Sequence, residues 1–247
     1  MIEAFLWGGI AASSLLIGSL LALRLTIPER TVGLIMGFGA GVLLSAVAYD
    51  LVLEATLTET RHVVVFLGLL AGAFVFFLGN RYLERQRPAN GTTEDQKTSA
   101  AGMALILGAV LDGIPESIVL GLTLIDGEGI GLTVLIAILL SNLPEGLAGT
   151  RDLVEAGWTG ARITRIWTTV VVASAFASFA GYAVFGKASP DVIAFVQAFA
   201  GGAVIAMLTD SMIPEAYEKG GNLVGLVTAL GFAMAFGITL LAWIPGA

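Results

Sequence analysis

The stretch IGLTVLIAILLSNLPEGLAGT (residues 130–150) decides the fold class of this chain. It is apolar over the length of about 20 residues that a helix needs to cross the ~30 Å hydrocarbon core of a bilayer. A strand of a membrane barrel would alternate polar and apolar side chains, and this stretch does not. It therefore predicts a transmembrane helix that carries one carboxylate, Glu145, along its length.

The rest of the chain repeats this apolar pattern. Apolar residues make up 57% of the 247 residues and charged residues only 13%, which is the composition of an integral membrane protein. The sequence predicts an all-α bundle of eight transmembrane helices that form a single domain over residues 1–247. The predicted spans are 3–23, 31–55, 62–82, 100–124, 130–150, 164–186, 190–217 and 223–245.

Glycine occurs 32 times, and several glycines cluster within the predicted helices. Small residues let transmembrane helices approach one another closely. We therefore interpret the clusters as packing surfaces. They are GFGAG (37–41), AGGA (200–203) and GFAMAFG (231–237).

Basic residues indicate how the chain is oriented, because they concentrate on the cytoplasmic side of a membrane protein. With the amino terminus outside, the inner breaks between helices hold most of them. This distribution predicts a multi-pass protein of the cell membrane with both termini outside. The inner residues are Arg24, Arg30, Arg81, Arg85, Arg87, Lys97, Arg151, Arg162, Arg165 and Lys219, and the outer residues are Arg61 and Lys187.

Residues 83–99 form the only extended polar segment, and we expect a flexible inner loop there. No cleavable signal peptide is expected ahead of the first helix. The chain has no cysteine, which excludes disulfides and thiolate metal ligands. A net charge of −7 without a basic patch argues against a nucleic-acid partner.

A Pro-Glu pair recurs within otherwise apolar sequence, as LDGIPES (111–117), SNLPEGL (141–147) and DSMIPEA (210–216). An ionised side chain in the hydrocarbon costs roughly 2.5–3.5 kcal/mol on insertion scales, so repeated carboxylates at this depth indicate function. Each proline also kinks its helix and frees a backbone carbonyl one turn earlier. The repeated unit predicts that a cation is held between the helices.

Each of these glutamates has a polar residue four positions before it, on the same helix face. The fourth and fifth predicted helices hold their units near the middle of the membrane, where the side chains could converge on one metal site. The alternative is that the glutamates only join helices by hydrogen bonds. The predicted metal ligands are Asp112, Glu116, Ser141, Asn142 and Glu145.

Two further groups of polar residues predict stations along a transport pathway. Asp50 and Glu54 have the same spacing near the outer end of the second predicted helix, although a carboxylate there could also simply reach the headgroup region. Asp210, Ser211 and Glu215 lie towards the inner end of the seventh predicted helix.

The chemistry of the donors restricts the cargo. Carboxylates, an amide and hydroxyls are hard oxygen ligands that suit Mg²⁺, Mn²⁺ or Fe²⁺, and Zn²⁺ also binds carboxylates although it usually prefers histidine or cysteine. The single histidine, His62, lies at the outer edge of the third predicted helix and is not expected to be a ligand.

At these motifs the chain resembles the ZIP (Zrt/Irt-like) family of divalent metal transporters, as a divergent, prokaryotic-type member. The family carries His-Asn-x-Pro-Glu-Gly-like and His-(Glu or Asn)-x-Pro-(His or Glu)-Glu-like motifs on its fourth and fifth helices. The resemblance implies a 3+2+3 arrangement, with the first three and last three helices forming inverted repeats around the fourth and fifth. It also implies uptake of a divalent transition metal (Zn²⁺, Fe²⁺ or Mn²⁺) by alternating access, without ATP and without a prosthetic group.

The resemblance assigns Glu116 and Glu145 to the family's two metal-binding glutamates. Asp112 and Ser141 stand where the family usually has histidine, which predicts a weaker preference for zinc than histidine-bearing members have. The family's second metal position also uses an acid of the sixth helix, where this chain offers only Ser178 or its neighbours. One well-formed site is therefore favoured over a binuclear centre.

Two other functions stay open from the sequence. A family member that has lost transport could act as a metal sensor or interaction partner, because the motif histidines are missing. An intramembrane carboxylate enzyme is disfavoured, since there is no HExxH motif and neither Ser117 nor Ser141 has a nearby histidine or lysine to activate it. We expect no enzymatic activity. The expected partners are divalent metal ions and the lipid bilayer, and a homodimer is left open.

Overall fold

The computed structural model describes residues 1–58, 62–85, 108–109, 113–125 and 130–243, and all regular structure within them is helical. The α-helices are α1 (Ile2–Arg24), α2 (Glu29–Ala46), α3 (Glu54–Thr58), α4 (His62–Arg85), α5 (Gly113–Leu122), α6 (Leu132–Glu155), α7 (Gly160–Phe185), α8 (Pro190–Met207), α9 (Ile213–Gly220) and α10 (Val224–Trp243). Of the predicted inner loop, residues 83–85 belong to α4 and the others lie outside the described residues.

Within the described residues, six helical stretches are long and apolar enough to cross a membrane. This all-helical architecture agrees with the membrane class that the composition predicts. The last stretch, Pro190–Leu241, contains a turn at Gly221, whose φ of +70° few side chains tolerate. Residues 100–107 and 110–112 of the fourth predicted span lie outside the described residues, so the count of eight helices stays a prediction. The other five stretches are Ile2–Arg24, Glu29–Leu57, His62–Tyr82, Leu132–Glu155 and Gly160–Phe185.

Two of the helices form the centre of the bundle. In the most apolar part of the stretch Glu29–Leu57, 67% of the residues are buried, and the fraction is the same in Leu132–Glu155. In His62–Tyr82 it is only 22%. The outward face of α4 consists of large apolar side chains such as Phe66, Leu70 and Phe74, which are exposed on the bundle surface. Such a face suits contact with lipid. Polar groups held on α2 or α6 are therefore the ones shielded from the surroundings.

One reciprocal backbone contact recurs at four helix pairs. In each pair, a glycine of one helix lies against a backbone carbonyl of the other, and the carbonyl and the glycine of each helix are three residues apart. A Cβ atom at any of these glycines would overlap the facing carbonyl oxygen, so only glycine permits the approach. The pairs are Leu15 and Gly18 with Leu143 and Gly146 (α1 and α6), Ile118 and Gly121 with Ser178 and Gly181 (α5 and α7), Phe38 and Gly41 with Thr228 and Gly231 (α2 and α10), and Leu69 and Gly72 with Phe199 and Gly202 (α4 and α8).

The interpretation of the glycine clusters as packing surfaces is confirmed at Gly41, Gly202 and Gly231. At Gly237, by contrast, an added Cβ would meet no atom within 4 Å. The clusters therefore contain both contact glycines and glycines that face outward.

Two π-helical segments interrupt the helices that carry the predicted pathway residues. The first, Val47–Leu53, joins α2 to α3, and the second, Leu208–Met212, joins α8 to α9. In the second, the N–H of Ile213 donates to the carbonyl of Leu208, five residues back. Such segments widen a helix by one residue per turn and occur often at functional sites.

The glycine contacts predict a clear difference between two alanine substitutions. Gly146→Ala places a methyl group on the carbonyl of Leu15, and we expect it to lower the unfolding free energy by about 1–3 kcal/mol through overpacking. Gly237→Ala meets no neighbour and should be neutral or stabilising by up to ~1 kcal/mol through helix propensity. Thermal unfolding of the two purified variants in the same detergent would measure this difference, and equal midpoints would contradict the packing account.

Candidate cation site

Glu116 is the buried carboxylate of α5, with only 5% of its surface exposed. It lines a cavity of about 20 Å³ whose other walls are apolar side chains from α2 and its π-helical continuation, α5, α6 and α8, among them Leu51, Val119, Ile138 and Val204. A space of this size holds about one water molecule. Among the described residues that line this cavity, only Glu116 has a polar side chain.

The face of α6 beyond this cavity is polar. Ser141 and Asn142 are buried, at 3% and 4% exposure, and Glu145 is half-buried. Ser141 lies three residues, and Glu145 seven residues, after the cavity residue Ile138, so all three share one helix face. Ser141 donates a hydrogen bond to the carbonyl of Ile138 at 3.1 Å, which leaves its oxygen able to accept or coordinate.

Pro144 explains why this part of α6 offers a further oxygen. It lies inside the helix and has no N–H, so the carbonyl of Leu140 lacks its usual helical donor. Gly39 of α2 packs against this point, where an added Cβ would lie 2.9 Å from the Leu140 oxygen and 3.2 Å from Cα of Ser141. The glycine therefore lets α2 approach the polar section of α6.

The α7 side of the site contributes buried serines. Ser174 faces Gly113 at the start of α5, and its Oγ would lie 3.5 Å from an added Cβ there. Ser178, which with its neighbours is all that this chain offers in place of the sixth-helix acid that the resemblance implies, is fully buried beside Gly8 of α1 and Gly121 of α5. Its hydroxyl has no hydrogen-bond partner among the described residues. The described helix α7 contains no Asp or Glu residue that could face α5.

Asp112, the third carboxylate of the predicted ligand set, lies outside the described residues. Among the residues that are described, no group of three or more His, Cys, Asp or Glu side chains is placed to share a metal ion. The predicted convergence of Asp112 with Glu116 and Glu145 therefore stays a prediction.

Asp50 and Glu54, the pair predicted near the outer end of the pathway, lie in and just after the first π-helical segment. Asp50 is half-buried, hydrogen-bonds with Thr239 of α10 and interacts electrostatically with Glu54, and its Oδ2 atom has no hydrogen-bond partner among the described residues. The preceding Tyr49 packs its ring on Phe236 of α10 at 4.6 Å between centroids. Asp50 thus lies on the α10 side of its helix, whereas Leu51 faces Glu116.

Asp210 and Ser211, which are predicted towards the inner end of the pathway, belong to the second π-helical segment. Ser211 donates to the carbonyl of Met207 at 2.9 Å, within its own helix. Glu215 lies in α9, where Lys219 donates to its Oε1 atom at 2.5 Å. The carboxylate at this end of the predicted pathway is therefore already paired with a cation.

The sequence did not lead us to assign Asp152 or Lys219 to the predicted pathway. Asp152 of α6 interacts electrostatically with Lys219 and Glu215 of α9. Two spacings in the sequence could have indicated them. Asp152 is seven residues after Glu145, and Lys219 is four residues after Glu215. Each spacing places the residue on the same helix face as a predicted site carboxylate.

Comparison with known proteins finds one informative similarity. Over 194 residues, 28% are identical to an Arabidopsis thaliana protein named "Putative zinc transporter". The match covers 76% of this chain but only 30% of the plant protein, so the chain spans less than a third of that relative's length. No model of a known protein family matches the chain.

Replacing Glu116 separates a functional carboxylate from a structural one. A carboxylate kept for binding a cation should not stabilise the empty protein, so Glu116→Leu should leave the unfolding midpoint unchanged or raise it by a few degrees. The control is Thr150→Val, which removes the acceptor of the buried Trp167 Nε1 hydrogen bond at 2.9 Å and should cost about 1–3 kcal/mol. If Glu116→Leu destabilises the metal-free protein as much as Thr150→Val, Glu116 is a structural link between helices.

Proposed function

We propose that the protein is an uptake transporter for divalent transition metals of the Zn²⁺, Fe²⁺ and Mn²⁺ type, which moves its cargo by alternating access. One observation carries the proposal: Glu116 is buried where α2, α5, α6 and α8 meet, and the neighbouring face of α6 continues from that point with Ser141, Asn142 and Glu145. The similarity to a plant protein named as a zinc transporter supports metal transport in general.

The donor set explains why the cargo would be a divalent metal. Glu116 and Glu145 supply carboxylates, Asn142 an amide and Ser141 a hydroxyl, and Asp112 is proposed to complete the set one turn before Glu116. These are hard oxygen donors, and the two carboxylates of Glu116 and Glu145 balance the charge of a divalent ion. The prolines contribute by freeing carbonyl oxygens, such as that of Leu140, at the same level.

The apolar cavity gives the proposed site one closed side. With both termini outside, α6 runs from the outer face inward, so the cavity residues Val134 and Ile138 lie outward of Glu145. Apolar side chains that leave room for about one water molecule form a barrier to a hydrated ion. We infer that the arrangement corresponds to a state closed towards the outside.

We further propose the eight-helix, 3+2+3 inverted-repeat arrangement, and the reciprocal glycine contacts support it. The contact of α2 with α10 and that of α4 with α8 use the same spacing, as do the contacts of α1 with α6 and of α7 with α5. Each π-helical segment also begins seven residues before a Glu-Ala pair, at Val47 for Glu54 and at Leu208 for Glu215. Two related halves packed around α5 and α6 explain this recurrence.

Metal flux into proteoliposomes tests the proposal directly. We expect saturable uptake of Mn²⁺ or Zn²⁺ by the wild-type protein, and Glu116→Ala and Glu145→Ala should reduce it to the level of empty vesicles because each removes a carboxylate ligand. Glu3→Ala, an exposed carboxylate in the first turn of α1, is the control and should retain uptake. Metal binding without flux in the wild-type protein would instead indicate a sensor or interaction partner.

The absence of histidine ligands predicts a broad metal profile. In competition experiments on the purified protein, Mn²⁺ and Fe²⁺ should displace Zn²⁺ at comparable concentrations, because oxygen donors favour zinc less strongly than imidazole does. Binding of each metal should also weaken as the pH falls, since carboxylates must be deprotonated to coordinate. Strong binding of Zn²⁺ that ignores Mn²⁺ and Fe²⁺ would refute the proposed ligand set.

A further inference from the structure

Two charged side chains of α9 form an ion pair that the proposed cation site does not use, and a carboxylate of α6 interacts with this pair electrostatically. Lys219 Nζ lies 2.5 Å from Glu215 Oε1, and Asp152 of α6 interacts electrostatically with both residues. Arg151 and Glu155, which flank Asp152 on α6, also act on it and carry opposite charges. Lys219 and Glu215 are 21% and 36% exposed, so this ion pair is partly shielded.

Asp152 continues the polar face of α6. It lies two turns, or about 10 Å of helix rise, beyond Glu145, and the residues between them on that face are Ala148 and Gly149. Both of these residues are small and buried. Asp152 is thus the next carboxylate that a cation released by Glu145 would meet.

The position of α9 is fixed by close packing on α2. Gly33 of α2 lies against the backbone of Ala216 and Gly220, where an added Cβ would come within 2.8 Å of the Ala216 oxygen. Because Glu215 and Lys219 are four residues apart, they share one face of this anchored helix. An ammonium group has three donors, so Lys219 can hold Glu215 and still act on Asp152.

We propose that Lys219 is a tethered cation that prevents Glu215 and Asp152 from retaining the departing metal. Two carboxylates from different helices would otherwise attract a divalent ion just where it must leave. The ammonium group of Lys219 neutralises one of the two negative charges and occupies the position at Glu215 where a metal ion would bind. Lys219 therefore competes with the metal ion for Glu215 and shortens the time for which the ion is bound there. This role rests on the proposed transport function and assigns a part in it to Lys219 and Asp152.

Equilibrium binding of Mn²⁺ to the full-length protein in detergent, with flux in proteoliposomes, tests the role of Lys219. Lys219→Met should gain an additional Mn²⁺ site. The affinity of this site should exceed that of any second site of the wild type by at least about tenfold, which is the effect on affinity of one close charge interaction. Uptake by this variant should slow while half-saturation on the outer side stays unchanged. Lys219→Arg should behave like the wild type, because it keeps the charge.

Two further variants sharpen the test. Lys219→Met combined with Glu215→Gln should lose the additional site again, whereas Lys187→Met removes an equal charge from the exposed turn after α7 and should change nothing. The inference is overturned if Lys219→Met binds Mn²⁺ with wild-type stoichiometry, or if the additional site survives Glu215→Gln. If the wild type binds no metal and shows no flux, the proposed function itself fails. A new site in Lys219→Met would then show only that Lys219 blocks cation binding at Glu215.

Discussion

The close approach of helix backbones at glycine is the constraint on which the rest of the structure depends. A membrane offers no hydrophobic force between helices, so their association relies on contact of backbones and small side chains. Here a glycine facing a carbonyl, reciprocated three residues away, fixes α1 to α6 and α5 to α7. These contacts set the positions of the two helices that carry Glu116 and Glu145, and Gly39 sets the distance from α2 to the same point. The polar site is thus positioned by residues that have no side chain.

That packing separates an apolar side of the site from a polar one. Glu116 borders a small cavity whose other walls are hydrocarbon, while α6 presents Ser141, Asn142 and Glu145 and, further along, Asp152. An ion held at Glu116 and Glu145 would therefore have the apolar cavity on one side and the next carboxylate of α6, Asp152, on the other. The same asymmetry explains why a lysine at the far end matters, because a pathway made entirely of carboxylates would hold a divalent ion too long.

The helical membrane class could be predicted from the sequence because apolar runs of bilayer length have few other solutions. Glycine clusters could likewise be read as packing surfaces, although the sequence does not distinguish Gly231, which meets a carbonyl, from Gly237, which meets nothing. The π-helical segments could not be predicted, since a one-residue widening leaves no periodic signal in continuously apolar sequence. The electrostatic interaction of Asp152 with Lys219 depends on how α6 and α9 are placed, and hydropathy carries no information on that. Convergence of the full ligand set remains a prediction, because Asp112 lies outside the described residues.

The central claim is that Glu116 and Glu145 together hold the transported ion. Anomalous diffraction from crystals of the full-length protein grown with Mn²⁺ tests this claim most directly. The account predicts one dominant anomalous peak within about 2.0–2.6 Å of carboxylate oxygens from both glutamates, a typical distance for oxygen ligands of divalent cations. That peak should vanish in Glu116→Ala crystals. A peak that contacts neither glutamate, or one that persists in Glu116→Ala crystals, would contradict the claim.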